Sequence, residues 1–165
     1  MGPLRIISTG GTIDSLEYEQ GEKSRFQGTY IPTMIALARL TIPVELEQVM
    51  QKDSSDITEA DRQLILDRCE VASEDRIVIT HGTDTMTETA KFLGEKNIPN
   101  KVIVLVGSFV PFSQPNSDAL FNFGYAIAAA QTLAPGVWLA VNGDIFAWDK
   151  FRKNKEKGRF EKIDS

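Results

Sequence analysis

The sequence predicts an α/β fold of three layers, with a central, mostly parallel sheet between helices. Two observations carry this. Short runs rich in Val and Ile alternate with runs of helical length, the pattern of strand–helix–strand units. One run, KVIVLVG at 101–107, is apolar throughout, as a strand buried on both faces requires. The chain has 165 residues and no internal repeat, so 1–165 reads as a single domain.

The elements follow in order. LRIIST (4–9) is a strand. Residues 10–31 are polar and glycine-containing and read as a long loop, of which 14–30 is expected to be a mobile active-site lid. PTMIALARL (32–40) is a helix with Pro32 in its first turn. VELEQVM (44–50) alternates apolar and polar, as a strand with one wetter face does. KDSSD (52–56) is a turn. Thr58 opens a helix to about residue 72, and Asp61, three positions on, completes a capping-box pattern. RIVIT (76–80) is the next strand. The helix at 84–96 is stopped by Asn97-Ile98-Pro99. The apolar strand leads through the loop SFVPFSQPN to a long helix, 117–133. VWLAVNG (137–143) is the last clear strand, and 144–165 reads as an irregular, basic tail.

Composition narrows the function. The net charge of −5 and the pI of about 5.0 argue against nucleic acid or an anionic membrane as partner. No apolar stretch reaches the length of a membrane span, and MGPLRIIS is too short and too soon polar for a signal peptide, so a cytoplasmic location is expected. A single Cys and a single His make a zinc site of the usual kind untenable. Cys69, inside a helical pattern, reads as a small buried hydrophobe.

In parallel sheets, ligands bind outside the carboxyl ends of the strands. The residues at those exits are Ser8-Thr9-Gly10-Gly11-Thr12-Ile13, Asp53-Ser54-Ser55-Asp56, Thr80-His81-Gly82-Thr83-Asp84-Thr85, Gly107-Ser108 and Asn142-Gly143-Asp144. That edge is rich in hydroxyls and carboxylates and poor in positive charge, which suits a small polar molecule. The phosphate-loop pattern, the dinucleotide fingerprint and the nucleophile elbow are all absent. A hydrolase built on this edge would use a threonine, activated by a base such as lysine or by a tyrosine relay. Backbone N–H groups near Gly11 and Gly82 are candidates for an oxyanion hole. The plainer reading of Thr83 and Asp84 is a helix cap, which is compatible with catalysis. His81 reads as a structural hydrogen-bonding group rather than a base.

T-G-G-T-I (9–13) together with H-G-T-D-T (81–85) resembles the two signature motifs of bacterial-type L-asparaginases. The turn 53–56, V-G-S-F-V-P (106–111) with Ser117-Asp118, and the stretch Asn142–Lys153 extend the resemblance over nearly the whole chain. It implies a flavodoxin-like domain that hydrolyses L-asparagine to L-aspartate and ammonia without metal or organic cofactor. By this resemblance Thr12 is the nucleophile, and Thr83, Asp84 and Lys153 form a second catalytic constellation. Gly11, Ser54, Ser55, Gly82, Thr83 and Asp84 would bind the substrate. Lys150 and Lys155 lie close to Lys153 in the same charged run. Tyr30, in G-T-Y-I-P, fits the family's catalytic tyrosine. Tyr18 is its rival, and an alignment through K-S-x-aromatic puts Phe26 at that place. The length implies either a short form lacking the family's C-terminal domain or a fragment, and closure of the site by a homodimer or homotetramer. A glutaminase and a catalytically weak aspartate- or asparagine-binding module are the alternative readings.

Overall fold

The computed structural model describes residues 2–15 and 28–163. Six strands form one sheet in the order β2-β1-β3-β4-β5-β6. They are β1 (Leu4–Gly10), β2 (Val44–Lys52), β3 (Arg76–Thr80), β4 (Val102–Val106), β5 (Gly136–Val141) and β6 (Asp144–Ala147). All neighbours run parallel except β5 and β6. The register pairs Ser8 with Thr80 and Thr80 with Val106, so three strand exits end level. As its composition predicts, β4 is central and buried along its whole length.

Helices cover both faces, giving the three layers expected. On one side, α2 (Glu59–Val71) and α3 (Met86–Lys96) bury Ile65, Leu66, Cys69, Met86, Ala90 and Leu93 against Ile77, Ile79, Ile103 and Leu105. On the other, α1 (Ile31–Leu37) and α4 (Ala119–Thr132) pack Met34, Phe123 and Ile127 against Ile6, Val78 and Val104. Alternate residues of each strand face opposite layers, which is the strand's two-residue side-chain period expressed in the core. Cys69 is fully buried, and that burial pushes its thiol up to about 12.

Local signals set most boundaries. The Thr58–Asp61 capping box forms, with Asp61 N–H donating to Thr58 Oγ1 and Thr58 N–H to Asp61 Oδ2. The third helix starts at Met86 rather than at residue 84. Asp84 N–H is taken by Ser54 Oγ and Thr85 Oγ1 donates to the Ser54 carbonyl, so both residues are held by another loop. The expected lid at 14–30 falls largely outside the described residues.

Two expectations at the C-terminal end are corrected. Strand β5 ends at Val141, because Asn142 and Gly143 both take positive φ (49° and 87°). They form the two-residue turn of a β-hairpin into antiparallel β6, a turn type that asparagine–glycine pairs favour. The segment 144–165 is not irregular either. It carries β6 and a second, two-stranded sheet of β7 (Phe151–Asn154) and β8 (Arg159–Lys162). Each of those last strands has one buried aromatic, Phe151 and Phe160, amid charges, so no apolar run announced them. The two rings meet edge to face with centroids 5.7 Å apart and join the α2–α3 side of the core.

Phe151, 1% exposed, therefore anchors the hairpin to the sheet. Phe151→Ala should cost about 3–5 kcal/mol of stability, read as a lower denaturant midpoint. An unchanged midpoint would show that the hairpin is not anchored there.

Candidate active site

The site grows from glycines at the strand exits. Gly11 has φ +78°, and a Cβ there would lie 2.2 Å from the Gly82 nitrogen. A Cβ on Gly82 would in turn lie 2.6 Å from Ser54 Oγ. The loops after β1 and β3 thus stack backbone on backbone, and the Ser54 side chain from the loop after β2 fills the space against Gly82, at spacings that leave no room for a Cβ on either glycine. Thr12 and Thr83 each directly follow one of these two touching glycines. Thr12 is half-buried at the start of a 3-10 turn over Thr12–Asp14.

Lys153 reaches this edge from β7. Its Nζ donates to Thr83 Oγ1 at 2.8 Å and to Asp84 Oδ1. It also lies 5.7 Å from the centre of the Phe109 ring. The Lys153 side chain is only 13% exposed, whereas Asp84 is 61% exposed. One cation is therefore enclosed by the protein while its carboxylate partner stays open to a ligand. Asp53, on the neighbouring loop, accepts from Ser55 N–H (2.9 Å) and Ser55 Oγ (2.7 Å). These two bonds, with Lys153 contributing attraction, hold the Asp53 carboxyl below its usual range.

Of the residues expected from the sequence, Gly11, Gly82, Ser54, Thr83, Asp84 and Lys153 are joined by direct contact. Ser54 is buried and serves the loop–loop junction, while Ser55 is exposed and turned to Asp53. Tyr30 stands at the N-terminus of α1, its N–H donated to Asp14 Oδ1 and its ring 5.4 Å from that of Phe112. Tyr18 and Phe26 lie outside the described residues. Among the described residues, no group of three or more His, Cys, Asp or Glu is placed to hold a metal ion.

His81 is fully buried beneath the site. Arg62 Nε–H donates to Thr89 Oγ1 (3.1 Å), which leaves the Thr89 hydroxyl to donate to His81 Nε2 (2.9 Å). Nδ1–H is then the donor to the Gly82 carbonyl at 2.7 Å. Each proton in this chain has one place to go, and the imidazole is neutral. Burial lowers its pKa from 6.5 to about 4.

Three organising residues, of which Asn122 carries no motif signal of its own, stand at the β4 and β5 exits. Asp118 accepts from the N–H groups of Phe109 and Val110 and from the amides of Asn122 and Asn142. Asn122 donates to the Gly107 carbonyl and accepts from Asn142 N–H. They tie the exits of β4 and β5 to α4. The left-handed Asn142, with glycine after it, was the available clue.

A three-layer α/β domain with a Lys–Thr–Asp cluster over a glycine-stacked strand edge defines a class of small-molecule sites, and the comparisons give the family. The chain belongs to the asparaginase family: the family description "Asparaginase, N-terminal" matches residues 3–163. An L-asparaginase of Thermococcus kodakarensis is 35% identical over 142 residues, covering 83% of this chain and 43% of the relative. A glutaminase-asparaginase of Acinetobacter glutaminasificans is 31% identical over 154 residues, covering 86% and 46%. The solved structure of the thermostable L-asparaginase from Thermococcus kodakarensis superposes with a TM-score of 0.84 at 31% identity, over 98% of this chain and 51% of that one. The chain thus spans less than half the length of these curated relatives. Among the described residues, no helix is long and apolar enough to cross a membrane.

The buried, neutral His81 predicts an acid response. Its folded pKa lies below the unfolded value, so its contribution is complete above pH 6.5 and is lost as pH falls toward about 4. The loss amounts to up to ~3 kcal/mol. Urea midpoints of the wild type and His81→Gln, taken at about pH 7 and about pH 4.5, should show a smaller acid loss in the variant. Equal losses would assign the effect to other groups.

Proposed function

We propose that this protein is an amidohydrolase that converts L-asparagine to L-aspartate and ammonia through an acyl-enzyme on Thr12. The observation that carries the reading is the Lys153 ammonium held between Thr83 Oγ1 and Asp84, on the edge where Gly11 touches Gly82. A carboxylate exposed beside a fixed cation suits the α-ammonium of an amino-acid substrate, and the N–H groups of the stacked loops suit its carboxylate or a developing oxyanion. Family membership and the L-asparaginase and glutaminase-asparaginase relatives support amide hydrolysis as the reaction.

In the first step Thr12 Oγ attacks the side-chain amide carbon and the C–N bond breaks. The hydroxyl proton leaves by a neighbouring oxygen and ends on the departing nitrogen, giving ammonia. In the second step water attacks the acyl carbon, its proton returns to Thr12 Oγ, and aspartate leaves. Thr83, with Lys153 against its oxygen, is suited to pass that proton, and Tyr30 fills the same role in the first step. Ser54, Ser55 and Gly82 complete the binding edge, with Ser54 acting through the loop it holds. A cytoplasmic location and assembly as a homodimer or homotetramer belong to the same proposal.

The test is ammonia release from L-asparagine by the purified protein. Thr12→Val should lower turnover by at least ~10³-fold and Lys153→Met by about 10²-fold or more, with the fold intact by circular dichroism. Retained turnover in Thr12→Val would remove Thr12 from its role. A folded protein that binds aspartate but releases no ammonia would make the site a binding module. L-glutamine in parallel reads the selectivity, for which one methylene is worth about 1–3 kcal/mol.

A further inference from the structure

One buried carboxylate beside the site has no part in the chemistry above. Asp14 is 0% exposed and ends the 3-10 turn that Thr12 begins. Three donors from two segments converge on it. Ser8 Oγ, from β1, donates to Oδ2 at 3.0 Å. Thr29 Oγ1 donates to the same oxygen, and Tyr30 N–H donates to Oδ1. The Asp14 backbone is gripped as well: its N–H bonds to the Gly11 carbonyl at 3.1 Å, and its carbonyl accepts from Gln51 Nε2 of β2 at 2.7 Å. Thr29 Oγ1 accepts in turn from Ile31 N–H, carrying the link into the first turn of α1.

We propose that Asp14 is a positioning residue for the reaction: its carboxylate fixes the turn that presents Thr12 against Tyr30 and the start of α1. The inference rests on the role proposed for Thr12. Its physical basis is that Thr12 directly follows Gly11, which is locked against Gly82, so only the Gly11 ψ and the Thr12 φ lie between that contact and the turn. The direction of its side chain is therefore set by what holds the far end of the turn, and that end is Asp14. Burial raises the carboxyl's pKa above the usual carboxylate range, and the bonds from Thr29, Tyr30 and Ser8 offset only part of that shift. An acid is thus kept in a dry place where an apolar residue would fill the volume more easily. What the acid supplies is acceptors: two oxygens shared by three donors from the β1 strand and the start of α1.

The geometry distinguishes two variants. In Asp14→Asn the carbonyl oxygen still accepts from Tyr30 N–H, and the Ser8 and Thr29 hydroxyls turn to accept from the new amide. Asp14→Ala removes the acceptor that all three donors share. The experiment measures kcat and KM for L-asparagine in wild type, both variants and Thr12→Val, together with amide hydrogen exchange at Tyr30. The alanine variant should lose about 100-fold in kcat with KM changed much less, the asparagine variant should recover most of that loss, and Tyr30 N–H should exchange roughly tenfold faster in the alanine variant. A folded alanine variant with wild-type kcat and wild-type Tyr30 protection would overturn the proposal. So would an asparagine variant as impaired as alanine, because geometry would then not be what Asp14 supplies. Absence of Thr12-dependent turnover in the wild type would overturn the role of Thr12 instead. The Tyr30 exchange then still decides whether Asp14 holds the two segments together.

Discussion

Everything at the working edge of this domain depends on how closely bare backbone can approach bare backbone. Gly11 lies on Gly82 and Gly82 on Ser54, with no space for even a methyl group between them. Gly107 repeats the arrangement one strand further along, where a Cβ would lie 2.6 Å from the His81 carbonyl. These contacts compress four strand exits into a thin shelf. Polar groups that would otherwise be spread along separate loops come within one hydrogen bond of each other. A β-carbon at Gly11 would force the first and third strand exits apart.

Such a shelf needs rigid support beneath it, and the supports are polar. His81 is buried and neutral, its two ring nitrogens satisfied by Gly82 and Thr89. Asp118, Asn122 and Asn142 do the same under the β4 and β5 exits. Buried polar groups are costly when unpaired, so each of these networks admits one arrangement and holds its loop in it. Asp14 extends the logic to the turn of Thr12. The pattern is a hydrophobic core that sets the strands and a second, hydrogen-bonded layer that sets the side chains above them.

The charge at the site comes from elsewhere. Lys153 is delivered by a small hairpin whose hold on the body of the protein is two aromatic rings, Phe151 and Phe160. Phe109, from the β4 loop, lies against both the Phe160 ring (6.1 Å) and the lysine. A cation that is mostly enclosed, with its partner Asp84 mostly open, is a polarised arrangement: the protein fixes one charge and offers the other. The sheet alone could not supply this, because its edge is otherwise made of hydroxyls and carboxylates.

By itself the sequence determined the layers, the parallel sheet, the central strand, the capped second helix and the two threonine motifs. These are written locally, in side-chain period, capping residues and glycine-rich exits, and local signals survive without knowledge of the fold. It also named Lys153, by resemblance, though not the strand that carries it. Tertiary structure alone decided the rest. The β7–β8 hairpin was hidden because one aromatic per strand leaves no apolar run, and its stability comes from a distant core. The Asn142-Gly143 turn is written in the sequence as an asparagine–glycine pair, but the apolar run ahead of it extends the strand pattern over it. Asp14, like Asn122, gained its place from partners distant along the chain: which segments the fold brings beside a polar side chain is recorded in no local pattern.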